Sequence, residues 1–200
     1  MRLIKGFIMG IGIIAIMVMF TLIIGYYLYS LSPRIQERTI PVAVSADAVE
    51  SFDQKLDSLD TQIKSAVSTG EKKEINLVIT EKEANSKLVQ MLAEGQLPLK
   101  RILLNFGDDY FLAYAVVDAP GIDAKTGSRG RIEITDGKPK VVIDEFNLGK
   151  LPLPGSAKIR VEQLLNIMVN LELTDVPLEI TGVQINNHQV TVTGVTKVAK

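Results

Sequence analysis

The chain is 200 residues long, with no cysteine, a single histidine and a formal net charge of −1. Without cysteine there is no disulfide, thiolate metal site, cysteine nucleophile or lipid-modified cysteine, and a charge that falls to −3 once Arg2 and Lys5 are set aside offers nucleic acid no cationic surface. With about 40 residues given to an apolar N-terminal segment and its flank, roughly 160 remain, enough for one ordinary domain with a core.

Phe7 to Tyr29 is a run of uncharged residues between Lys5 and Arg34. As a helix rising roughly 1.5 Å per residue, Phe7 to Leu28 would reach about 33 Å, against a hydrocarbon thickness of about 30 Å, so a membrane span is expected. The alternative is a cleaved signal peptide, whose apolar core is shorter and ends at small residues. This run ends in Tyr26, Tyr27, Leu28 and Tyr29, which suit an interfacial belt. Arg2, Lys5 and the amino terminus ahead of the run place that end in the cytoplasm by the positive-inside bias. The expected organisation is a cytoplasmic tip and transmembrane anchor over 1–29, a juxtamembrane connector over 30–46 containing Pro33 and Pro41, and an extracytoplasmic α+β domain over 47–200 of a single-pass membrane protein.

Val49, Phe52, Leu56, Leu59, Ile63 and Ala66 recur at spacings of three and four, which predicts an amphipathic helix from about Asp47 to Ser68 stopped by Gly70. It packs on the protein's own sheet or, as a short heptad seam, on a partner. Ile75–Thr80 is a predicted strand, and Thr80 with Glu83 forms a capping box that opens a second helix ending near Gly95 and Pro98. Lys100–Phe106 and Tyr110–Asp118 are predicted to form a hairpin around Gly107-Asp108-Asp109.

Along Tyr110–Val117 both alternating sets are apolar or aromatic, so both faces of this strand touch something other than water, either protein or an apolar ligand. Asp118–Gly130, with Pro120, Gly121, Gly127 and Gly130, is predicted as a loop; its Gly-Ile-Asp-Ala-Lys-Thr-Gly-Ser has the wrong order for a phosphate loop. Arg131–Thr135 and Lys140–Leu148 flank Asp136-Gly137, a hairpin signal. Gly149–Ser156 breaks the sheet with Pro152 and Pro154, and a helix with a broad stripe of Val161, Leu164, Leu165, Met168 and Leu171 follows. Leu178–Ile185 and Gln189–Lys197 close the chain as a hairpin, with Gly182 and Gly194 as expected bulges.

No hydrolase, zinc-protease or dinucleotide fingerprint is present, His188 falls in a polar turn, and Asp108 with Asp109 are what a hairpin turn needs in any case. The expectation is a protein that is not an enzyme, with no cofactor and no metal.

Ile79-Thr-Glu-Lys-Glu-Ala-Asn85, Phe146-Asn-Leu-Gly-Lys-Leu-Pro-Leu-Pro154 and Val183-Gln-Ile-Asn-Asn-His-Gln-Val-Thr-Val-Thr-Gly194 carry a family likeness. The chain resembles the YpmS-like single-pass membrane proteins of Gram-positive bacteria and, more distantly, the LmeA-like phospholipid-binding proteins. The resemblance implies a long helix packed along a curved antiparallel sheet, similar to one half of a tubular (TULIP, or BPI-like) lipid-binding module, with acyl chains between helix and sheet. It supplies no catalytic residues, and this chain departs from the LmeA-like pattern in keeping an apparent anchor. Membrane lipid is the expected partner, either phospholipid or a lipid-linked envelope precursor, held or locally exchanged. Met91, Leu104, Phe106, Leu112, Tyr114, Val116, Leu165 and Met168 are the expected lining. A non-catalytic structural adaptor of a cell-envelope complex, recruiting envelope proteins through the 47–68 helix, is the alternative.

Overall fold

The computed structural model describes residues 19, 22–97, 99–119, 122–151, 155–173 and 176–197, and at 118, 119, 122, 157, 164 and 168–173 the backbone alone. In chain order the elements are helix α1 over residues 22–30, α2 (Arg34–Arg38), α3 (Ala46–Thr69), β1 (Glu74–Thr80), α4 (Glu81–Ala93), β2 (Leu99–Phe106), β3 (Phe111–Ala119), β4 (Ile122–Thr135), β5 (Lys138–Leu148), α5 (Gly155–Leu173), β6 (Leu178–Asn186) and β7 (Gln189–Thr196). The strands form two curved antiparallel sheets, one of three strands in the order β1-β7-β6 and one of four in the order β2-β3-β4-β5. Most of the expected anchor, residues 7–18, 20 and 21, lies outside the described residues, and among the described residues no helix is long and apolar enough to cross a membrane.

Helix α3 starts where the Ser45 hydroxyl accepts from the Ala48 amide at 3.3 Å and stops at Gly70, whose φ of 69° is left-handed backbone that a Cβ disfavours. Ile63 and Ala66 of the expected stripe are buried, Val49, Phe52 and Leu59 are half-buried and Leu56 is exposed, while Ala48, one residue off the stripe, is buried; the helix packs on α4, β1 and β7. The capping box of α4 is complete: Thr80 Oγ1 accepts from Glu83 N at 3.2 Å and the Glu83 carboxylate accepts from Thr80 N at 2.8 Å.

The two sheets meet at the hairpin end of the larger one. Asp109 N, in the β2–β3 turn, donates to Ile185 O at 2.8 Å, and Ile180 N donates to Gly137 O in the β4–β5 turn at 3.1 Å. The opposite end meets α1: Lys150 N donates to Leu28 O at 2.7 Å, and Gly149 N to Lys125 O at 2.8 Å. Gly149 has φ 56°, and a Cβ there would collide with the carbonyls of Leu28 and Tyr29, so glycine is required by both backbone and space.

Two expectations are corrected. The predicted loop Asp118–Gly130 is mostly strand, since β4 begins at Ile122 and pairs with β3 from Ile122 to Gly130. Gly127 and Gly130 serve close approach instead of turning: a Cβ at Gly127 would meet Ile35 Cβ at 2.8 Å, and one at Gly130 would meet the Phe111 ring at 2.7 Å. The expected connector is also structured. Pro33 and Ile35 are buried, Ile35 at 0% exposure, because α2 lies over the Gly127 notch of the four-stranded sheet. Of the two expected bulges, Gly182 follows a register shift after Ile180, whereas Gly194 stays in register with Ile75 and Ile180.

Candidate functional site

Antiparallel pairing assigns each residue of the four-stranded sheet to a face, because directly opposed residues project to the same side. One face carries Leu103 with Tyr114, Asn105 with Leu112, and Gly127 with Asn147. This is the connector face. Leu112 and Tyr114 are buried on it at 6% and 3% exposure, next to Pro33 and Ile35 over Gly127, and burial pushes the Tyr114 phenol above its usual value, with Arg101 pulling it down more weakly. The Asn105 carboxamide accepts from Ile40 N and donates to Ile40 O, both at 2.9 Å, as a neighbouring strand would.

The second face carries Ile102, Leu104, Phe106, Phe111, Ala113, Ala115, Val117, Ile143, Phe146 and Leu148. At the hairpin end Phe106 and Ile143 are buried, whereas toward the α1 end Ile102, Leu104, Ala113, Ala115, Phe146 and Leu148 remain half-buried. Helix α4 packs on the edge strand β2 and α5 on the opposite edge strand β5.

The same side-chain device makes both edge contacts. From α4, Asn85 Oδ1 accepts from Leu104 N at 2.9 Å, Asn85 Nδ2 donates to Leu104 O at 2.6 Å, and the Glu81 carboxylate accepts from Phe106 N at 2.6 Å. From α5, Asn166 makes the same two bonds with Val141 at 2.7 Å each, and Glu162 accepts from Ile143 N at 3.1 Å. A carboxamide offers one donor and one acceptor in the plane a peptide would use, so each helix satisfies a strand edge that would otherwise invite pairing. The sequence held the signal, Glu81-x-x-x-Asn85 and Glu162-x-x-x-Asn166, but Glu and Asn one helical turn apart are too common to be read without the strands they serve.

The expected lining is divided among these places. Leu104 and Phe106 lie on the second face, Leu112, Tyr114 and Val116 on the connector face, Met91 on α4 beside β2, and Leu165 on α5 beside β5. The side chain of Met168 lies outside the described residues. No single surface joins the set. The cause is one residue of turn: the chain pairs Phe106 with Phe111, not with Tyr110, and a slip of one exchanges the faces of a strand. Tyr110 stays in the turn, where its ring stacks on the Arg129 guanidinium at 4.4 Å.

Two polar clusters lie outside these faces. Around Glu83, burial alone would raise the carboxyl, but hydrogen bonds from Lys55, Ser51 and Thr80 outweigh it and hold the pKa at about 2. This fastens α3 to α4. His188 is exposed in the β6–β7 turn, with Nδ1 3.3 Å from Glu81 Oε2. Among the described residues no group of three or more His, Asp or Glu side chains is placed to hold a metal ion. Comparisons with protein-family models, with curated proteins and with solved structures found no match for this chain.

Proposed function

We propose that the protein is a membrane-anchored, extracytoplasmic lipid-binding module, organised like one half of a tubular lipid-binding domain, that receives an acyl chain on the second face of its four-stranded sheet between α4 and α5. The observation that carries this reading is the exposure gradient on that face. Every second position of β3 from Phe111 to Val117 is apolar on it, yet the α1 end is only half-buried. The helices fasten to the two edge strands, which leaves β3 and β4 between them. Residues 22–30 sit at that same end, with Leu22, Ile23, Ile24, Tyr26 and Tyr27 all exposed, as a helix emerging from a bilayer would be. A chain leaving the membrane would thus meet the half-buried end first. Burying about eight methylenes at about 0.8 kcal/mol each contributes roughly 6 kcal/mol before ordering costs.

The connector face has another occupant, since α2 fills it. The lining is accordingly redrawn as Ile102, Leu104, Ala113, Ala115, Phe146 and Leu148. The full chain in phosphatidylcholine vesicles containing a phospholipid with a photoreactive acyl terminus should label these residues, and Ala115→Trp should reduce the labelling. Labels confined to residues 7–29, or unchanged by the tryptophan, would sink the acyl-binding reading.

A further inference from the structure

We infer that the cavity between α2 and the end of β5 binds the phosphate group of an anionic phospholipid in the surrounding bilayer. The cavity has a volume of about 290 Å³ and is lined by Arg34, Glu145, Asn147, Gly149, Lys150 and Leu151. Its acid is already engaged, because Arg38 Nη2 lies 2.6 Å from Glu145 Oε2. Its cations are held more loosely. Arg34 is exposed and pairs with no acid among the described residues, and Lys150 reaches only the exposed Glu37, at 3.9 Å. Asn147 lines the same wall with its Oδ1 buried and without a hydrogen-bond partner; as an acceptor that oxygen offers a phosphate no bond, so recognition falls to Arg34 and Lys150.

Position selects the ligand. The Lys150 amide is bonded to Leu28 O, and Gly149 lies against the carbonyls of Leu28 and Tyr29, so the cavity is fixed to the end of the apolar run, at the level of lipid headgroups. A guanidinium fork beside an ammonium is a donor set suited to a phosphate diester. The inference rests on the membrane placement proposed above, and does not require an acyl chain on the second face.

The test uses the full chain in nanodiscs of phosphatidylcholine with a minority of phosphatidylglycerol, with retained lipids counted by native mass spectrometry. The wild-type protein should retain phosphatidylglycerol beyond its share of the bilayer. Arg34→Gln and Lys150→Gln should each reduce the excess roughly five-fold, and the double variant should abolish it, at an unchanged melting temperature. Lys64→Gln, far along α3, should change nothing. Equal retention by wild type and double variant overturns the site. In discs of phosphatidylcholine alone, phosphorus line broadening of millimolar inorganic phosphate that depends on Arg34 and Lys150, without any phosphatidylglycerol excess, overturns the lipid source in favour of free phosphate. A wild-type chain that fails to float with vesicles overturns the membrane placement together with this site, whereas loss of headgroup preference with intact acyl labelling overturns this site alone.

Discussion

The two edges of the four-stranded sheet are closed by the same Glu and Asn pair, yet the helices that supply it are held very differently. At the β2 edge, Asn85 is 2% exposed and Glu81 8%, and α4 is also bound to α3 and β1. Glu81 is shared further: its Oε1 accepts from Asn105 Nδ2 at 3.1 Å, its Oε2 lies 3.3 Å from His188 Nδ1, and its backbone N donates to His188 O at 2.7 Å. At the β5 edge, Glu162 and Asn166 are only half-buried, Ile159 and Ile167 are 55% and 56% exposed, and α5 packs on β5. One identical set of backbone bonds therefore belongs to the core in one place and to a peripheral flap in the other. The cost of losing such a clasp is set by what else holds the helix and by how easily water replaces the lost partner.

The largest effect is expected from Asn85→Ala. It leaves Leu104 N–H and C=O without partners in a dry site and opens a cavity, a loss of about 3 kcal/mol. For a domain of this size that corresponds to a melting temperature lower by roughly 9 °C, measured by calorimetry. A shift no larger than that of the equivalent change in α5 would erase the asymmetry.

Next in size is acid. Glu83 is held at about 2, below the usual glutamate value of 4.5, so its ionised form is favoured by folding. A depressed carboxylate contributes stability that is fully present above pH 4.5 and lost as pH falls through the interval down to about 2. Its side chain is 7% exposed, and the contribution is on the order of 2–3 kcal/mol. Glu83→Gln should flatten part of the acid limb of a urea-stability profile between these values, and a mutant profile parallel to the wild type would refute the assignment.

Much of this was written in the sequence. The apolar spacing of α3, the Thr80–Glu83 box and the Asp-Gly hairpin of β4–β5 are local signals, and local chemistry decides them. The connector and β4 were misleading for a shared reason: Pro33, Gly127 and Gly130 are used for tertiary contact, and glycine or proline read alone signals a turn. The faces of β3 were lost differently. Alternation shows that a strand has two sets, but only the length of the Gly107–Tyr110 turn, with Asp109 at φ 63°, decides which set joins Leu104. Edge closure by Asn85 and Asn166 is wholly non-local and could not be read before the strands were placed.

The smallest effect is the sharpest discriminator. Asn166→Ala removes the same two bonds to the strand edge as Asn85→Ala, but Val141 lies at a strand edge where water can enter beside a half-buried side chain. The expected loss is about 1 kcal/mol, with Glu162 still accepting from Ile143 N. Because α5 packs chiefly on β5, that loss should appear as local opening. Amide exchange in residues 155–173 and at Val141 should quicken roughly five-fold while the amides of β3 and α4 stay unchanged. Uniform acceleration across the domain would mean that α5 unfolds only with the core, which would leave the second face without a movable wall and make entry of an acyl chain there depend on the gap already present between α4 and α5.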